Sequence, residues 1–84
     1  MNVLNDTQSN SISLLQILAM CEEGTTVYVY FLHFDTVFIK RIVRPRDVMA
    51  VCEKCAKLIK HHPCVINITT GNVGGKDVLK VLCV

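Results

Sequence analysis

Apolar residues along this chain recur first at helical spacing, then at the denser spacing of strands, and the same succession then repeats. Ile12, Leu15, Leu18 and Ala19 fall on one face, with Leu14 and Ile17 widening the stripe, so the pattern predicts a short helix. Ser9, Asn10 and Ser11 offer side-chain oxygens to its free N-terminal amides, and Gly24, after two glutamates, is placed to stop it. The stretch 25–32, ThrThrValTyrValTyrPheLeu, is β-branched and aromatic throughout, and 36–43, ThrValPheIleLysArgIleVal, repeats the signal. With a turn at HisPheAsp between them, these read as a hairpin.

The second half follows the same plan. ArgProArgAsp at 44–47 starts a helix, with Pro45 at the tolerated first position and Asp47 in the first turn, where a negative charge suits the helix dipole. Val48, Val51, Cys52, Cys55, Leu58 and Ile59 make its apolar stripe, Glu53, Lys54, Lys57 and Lys60 its polar face, and Pro63 after two histidines its stop. Residues 64–70 read as a strand. Residues 77–84 are its hairpin partner or a last short helix, and AsnValGlyGlyLys between the two favours the hairpin.

The expected fold is therefore α+β, a single two-layer domain over 11–84 in the order αββαββ, with two helices packed on a four-stranded, mostly antiparallel sheet. Residues 1–10 are expected to form a flexible polar head. The first strand is apolar on both faces, Val27, Val29 and Phe31 against Tyr28, Tyr30 and Leu32, which suits a central strand or one covered by a second subunit. This predicts a homodimer, with Tyr28, Tyr30, Leu32 and Phe34 as the protein interface.

Composition narrows the class. An 84-residue chain that is 51% hydrophobic and 19% charged folds as one domain with a modest core. Its strongest apolar runs, ISLLQILAMC and VYVYFLHF, are each about half of the roughly 20 residues that span a bilayer, so no membrane span is expected. LeuAlaMetCys at 18–21 departs from a lipoprotein signal, because Met20 stands where a small residue is wanted and no Lys or Arg precedes it. Five cysteines, an odd number without regular spacing, fit a reducing compartment, and the chain is expected to be cytoplasmic.

The densest chemistry is VCEKCAKLIKHHPC at 51–64. Cys52, Cys55, His61 or His62, and Cys64 have the composition of a Cys3His zinc site. The segment has no glycine for the tight turns such a knuckle requires, and its thiols follow the helical period, so they read as core residues. Cys52 also lies too far inside the helix for the N-terminal activation that a redox CxxC needs. ThrThrGlyAsnValGlyGlyLysAsp is one residue short of a phosphate loop, and Asp77 stands where the magnesium-binding hydroxyl belongs, so it reads as a glycine turn. His33, His61 and His62 form no catalytic constellation with a serine or carboxylate, and no catalytic residue, cofactor or small-molecule substrate is assigned.

Ser11-Ile12 with Leu15, Leu18, Gly24-Thr25 and ValTyrValTyr is similar to the second half of HPr-type phosphocarriers, and Arg44-Pro45 is similar to their active-site loop. Ile42, however, stands where the phosphorylated histidine would be, so the resemblance carries no phosphocarrier activity to this chain.

Charge is unevenly placed. Lys40, Arg41, Arg44, Arg46, Lys54, Lys57 and Lys60 hold seven of the nine basic residues, against Asp47 and Glu53 in the same span. Such a segment suits RNA or DNA phosphates, while the net charge of only +2 also fits a solvated lysine face. The expected function is thus a small non-enzymatic protein-protein interaction or regulatory module acting as a homodimer. The alternatives are nucleic-acid binding through residues 40–62 and a zinc-stabilised domain using CxxC and HHxC.

Overall fold

Ser13 sets where the first helix starts. Its hydroxyl accepts from the Gln16 N–H at 3.2 Å, while the Gln16 side chain accepts from the Ser13 N–H at 3.0 Å, a reciprocal cap that satisfies two otherwise unpaired amides. The computed structural model describes residues 12–84, so Ser9, Asn10 and Ser11 as caps, and the polar head read over 1–10, lie outside the described residues. The elements are β1 (Ile12–Ser13), α1 (Leu14–Ala19), β2 (Thr25–Phe31), β3 (Phe34–Ile42), α2 (Pro45–Ile59), β4 (Cys64–Val73) and β5 (Lys76–Cys83). They form an α+β fold of two helices and a five-stranded mixed sheet, in the order β1-β4-β5-β2-β3.

Two features of the expected sheet are corrected. It has five strands, because Ile12 and Ser13 pair with Val65 and Cys64 instead of opening the helix. It is mixed, because β2 and β5 run parallel, from Thr26 beside Val78 to Phe31 beside Cys83. The reason is topological: α2 returns the chain so that β3 and β4 point the same way. Each of these is antiparallel to its hairpin partner, so β2 and β5 must be parallel where they meet. They meet in the centre because they are the most apolar strands, with Val27, Val29, Val81 and Cys83 all fully buried.

The local signals shift in smaller ways. The first turn is the two residues Leu32 and His33, so β3 begins at Phe34 and not after HisPheAsp. Residues 76–83 form a strand, closed onto β4 by Gly74 and Gly75 at φ +60° and +85°. No side chain crowds either glycine; the two-residue turn itself demands left-handed backbone. The second helix ends at Ile59, where Lys60 adopts φ +64° and its N–H donates to the Ala56 carbonyl, so His61 and His62 lie beyond the helix.

One core joins the layers. Leu14 and Leu18 from α1 and Val48, Val51 and Cys55 from α2 pack against Val27, Val29 and Phe31 of β2 and their neighbours on β5. Each fully buried side chain of this size contributes roughly 1.5–3 kcal/mol. At the start of α2, one Asp47 oxygen accepts from the Val43 N–H at 3.1 Å and the Arg44 N–H at 2.9 Å, and Lys40 Nζ lies 3.9 Å from the other. The Arg44 and Val43 amides, in that order, hold the Asp47 carboxyl below its ordinary 3.8, with Lys40 adding to them. A depressed carboxyl contributes stability above its unfolded value and loses it as pH falls. Asp47→Asn should therefore melt several degrees lower at pH 7, with that deficit shrinking below pH 3.8 as the wild-type carboxyl protonates. Thermal melts from about pH 2 to 7 measure it, and a deficit constant across that range is the contrary outcome.

Candidate functional site

Both helices pack on the same side of the sheet, which among the described residues leaves its other side uncovered. Alternation along β2 turns Val27, Val29 and Phe31 to the helices and Tyr28 and Tyr30 away from them. Residues directly opposite on neighbouring strands share a face, so register extends the row. Tyr28 stands opposite Ile39 and beside Lys80, Tyr30 opposite Val37 and beside Leu82, and Thr26 opposite Arg41. Tyr28 and Tyr30 stack with ring centroids 6.4 Å apart. Val37 and Ile39 keep 41% and 58% of their surface exposed, although both are apolar and flank the tyrosines.

A concavity of about 460 Å³ opens on this face, with Tyr30, Val37, Asn67, Thr69, Lys80 and Leu82 in its lining. At its β4 side Lys80 lays its stem across Gly71: a Cβ there would stand 3.1 Å from Lys80 Cε. The lysine thus covers apolar strand surface with its methylenes. The uncovered face carries its aromatic and aliphatic residues along β2 and β3, with Asp35 and Arg41 at opposite ends of β3 and the polar Asn67, Thr69 and Lys80 on its β4–β5 side.

The four interface residues expected from the sequence are divided by this geometry. Tyr28 and Tyr30 lie on the open face. Leu32 is exposed in the hairpin turn. Phe34 is paired with Phe31 and meets its ring edge-on at 6.4 Å, which places it on the helix side at the end of the hairpin. Val37 and Ile39, which the sequence reading left out, take its place. Their alternation was visible, but only the pairing with β2 shows that they extend the tyrosine row.

The basic segment is divided too. Lys40 points to the helix side and toward Asp47, Arg41 to the open face. Arg44 and Arg46 flank the start of α2, Lys54 and Lys57 lie on its exposed face, and Lys60 ends it. The helix side and the open face therefore share these charges, and no single strand or helix face collects all seven.

Cys52 and Cys55 fall on the inner stripe of α2, Cys55 fully buried and Cys52 half-buried, while Cys64 opens β4 and its Sγ lies 3.8 Å from the His62 carbonyl. Burial pushes the Cys55 thiol up to about 12, helped by Cys83 and Cys52, and it does the same to Cys83, helped by Cys64 and Cys52. Cys83, which the sequence reading did not single out, is therefore part of the same thiol neighbourhood. His61 and His62 are exposed, and His61 shares a small cleft with His33. Among the described residues, no group of three or more His, Cys, Asp or Glu is arranged to hold a metal ion, and no helix is long and apolar enough to cross a membrane. Compared with protein-family models, curated proteins and solved structures, the chain has no significant match.

Proposed function

We propose that this chain is a small non-enzymatic interaction module that works by self-association and by presenting the uncovered face of its sheet to a protein partner. One observation carries the reading. Tyr28, Tyr30, Val37 and Ile39 form a continuous apolar row on a face that, among the described residues, no helix covers. Exposed contiguous apolar surface on a small domain marks a binding surface, and tyrosines are enriched where such surfaces bind most tightly. The nucleic-acid alternative has less support, because only Arg41 of its seven basic residues shares the face that carries the aromatic rings.

Sedimentation equilibrium over the micromolar range tests this. A concentration-dependent monomer–dimer equilibrium is expected. Val37→Thr combined with Ile39→Thr, which keeps β-branched side chains and removes apolar contact, should weaken it at least about tenfold without unfolding the domain. A monomer at every concentration, or a dimer indifferent to both substitutions, sinks the self-association reading.

A further inference from the structure

We infer that a second copy of this chain docks along the outer edge of β3, antiparallel and centred on Phe38, joining two sheets into one. The inference rests on the self-association reading and specifies its geometry. Among the described residues β3 is the last strand of the sheet and pairs only with β2, so one side of a nine-residue strand presents unpaired backbone N–H and C=O groups. Such a row is a ready template for edge-to-edge pairing with another strand.

Symmetry then limits the register. Two copies of one strand become antiparallel neighbours when a two-fold axis runs normal to the sheet, and this keeps both helix layers on the same side. Opposed residues must then point to the same face, so the axis has to pass beside a residue and not between two. When that residue is Phe38, all nine positions of β3 are used. Phe34 faces Ile42 of the second copy, Asp35 faces Arg41, Thr36 faces Lys40, and Val37 faces Ile39.

The open-face row of this strand is Asp35, Val37, Ile39 and Arg41. Read from its two ends it is symmetric in hydrophobicity and opposite in charge, so it complements itself when reversed. Neighbouring symmetric registers lose this property. Centred on Val37, Asp35 faces Ile39, and Arg41 runs past the strand end to His33. Centred on Ile39, Arg41 faces Val37 and Asp35 faces Val43. Only the Phe38 register pairs both charges and both aliphatic residues. On the helix side Lys40, already directed at Asp47, meets the neutral Thr36, so no like charges are opposed. Arg41 Nε lies 3.4 Å from the Gly24 carbonyl in an exposed contact, and its remaining guanidinium N–H groups are left for the second copy's Asp35.

Charge reversal tests the register. Asp35→Arg sets two arginines against each other at both ends of the dimer, and Arg41→Asp sets two aspartates against each other in the same places. Each variant should raise the dimer Kd at least about tenfold at low salt. Mixing the two variants should give a heterodimer within about threefold of the wild-type Kd, because an arginine of one chain then meets an aspartate of the other at both ends. The double variant, which exchanges the two charges within one chain, should recover a homodimer. Both positions are exposed, and circular-dichroism melts of all three variants confirm that the fold is retained. If the wild type dimerises but the single variants are unaffected, or the mixture fails to recover, this register is wrong while self-association stands. If the wild type is monomeric throughout, both readings fall.

Discussion

Leu18→Ala is expected to lower the unfolding free energy by about 2–5 kcal/mol, as read from urea denaturation at constant m-value. Leu18 is 1% exposed and belongs to α1, which is only six residues long. A helix that short has no stability of its own, because the cost of nucleating the first turn is not recovered by so few hydrogen bonds. It is held by its Ser13–Gln16 cap and by Leu14 and Leu18, which fill the space beside α2 and the sheet. Truncating Leu18 therefore removes methyl groups from the core and the main attachment of α1 together. Small domains have only about 5–15 kcal/mol to lose, so this one change takes a large share. Leu15, on the same helix but 44% exposed, is the internal control, and Leu15→Ala should stay within roughly 0.5 kcal/mol of wild type. Equal losses at both positions would show that the packing face of α1 is assigned wrongly.

The second large effect concerns the thiols. In the native protein at about pH 8, Cys55 and Cys83 should be alkylated by iodoacetamide about a thousandfold more slowly than in urea. Both are fully buried, and burial pushes both up to about 12 from the ordinary 9.0, which removes the reactive thiolate. Half-buried Cys64 should react before either of them. The same displacement sets an alkaline limit. The fold binds the thiol proton more tightly than the unfolded chain does, so the stability it contributes is complete below pH 9.0 and is lost as pH rises toward about 12. Cys83→Ala should flatten part of that alkaline loss. Mass spectrometry of timed alkylation reads the first effect, and native labelling of Cys55 or Cys83 at the unfolded rate would overturn the assignment.

These thiols also show what the opening pattern contained. VCEKCAKLIKHHPC combines the ligand types of a zinc site with the period of a helix, and the period could be weighed without coordinates. Val48, Val51 and Cys55 are buried at spacings of three and four, while Glu53, Lys54 and Lys57 are exposed. Pro63 marks a stop for that helix, but the chain leaves it three residues earlier, where Lys60 turns left-handed. A lysine is not a residue from which that conformation is read, as a glycine would be.

The candidate site was legible in part. Tyr28 and Tyr30 stand out because β2 is apolar on both faces, which suits a central strand or one covered by a second subunit, and β2 lies between β5 and β3. Phe34 falls in step with Tyr28 and Tyr30 along the sequence, but the chain turns back at Leu32 and His33, and alternation along β3 then places Phe34 with Phe38 and Ile42 on the helix side. The position of the turn decides which face the following residues take, and Leu32 and His33 are not the glycine, asparagine or proline by which a turn is read.

Local chemistry along the chain was enough to determine two helices, the first hairpin and the amphipathic character of α2, and it favoured the glycine turn between β4 and β5 over a last short helix. Each of these depends on residues close in sequence, where period, capping and backbone preference act directly. Tertiary structure alone decided that Ile12 and Ser13 join the sheet, that β2 and β5 meet in parallel, and that Val37 and Ile39 complete the tyrosine row. Those outcomes depend on which distant strands bury each other best. That choice is made by the whole core at once, and among the described residues the same choice leaves one face of the sheet and the outer edge of β3 open.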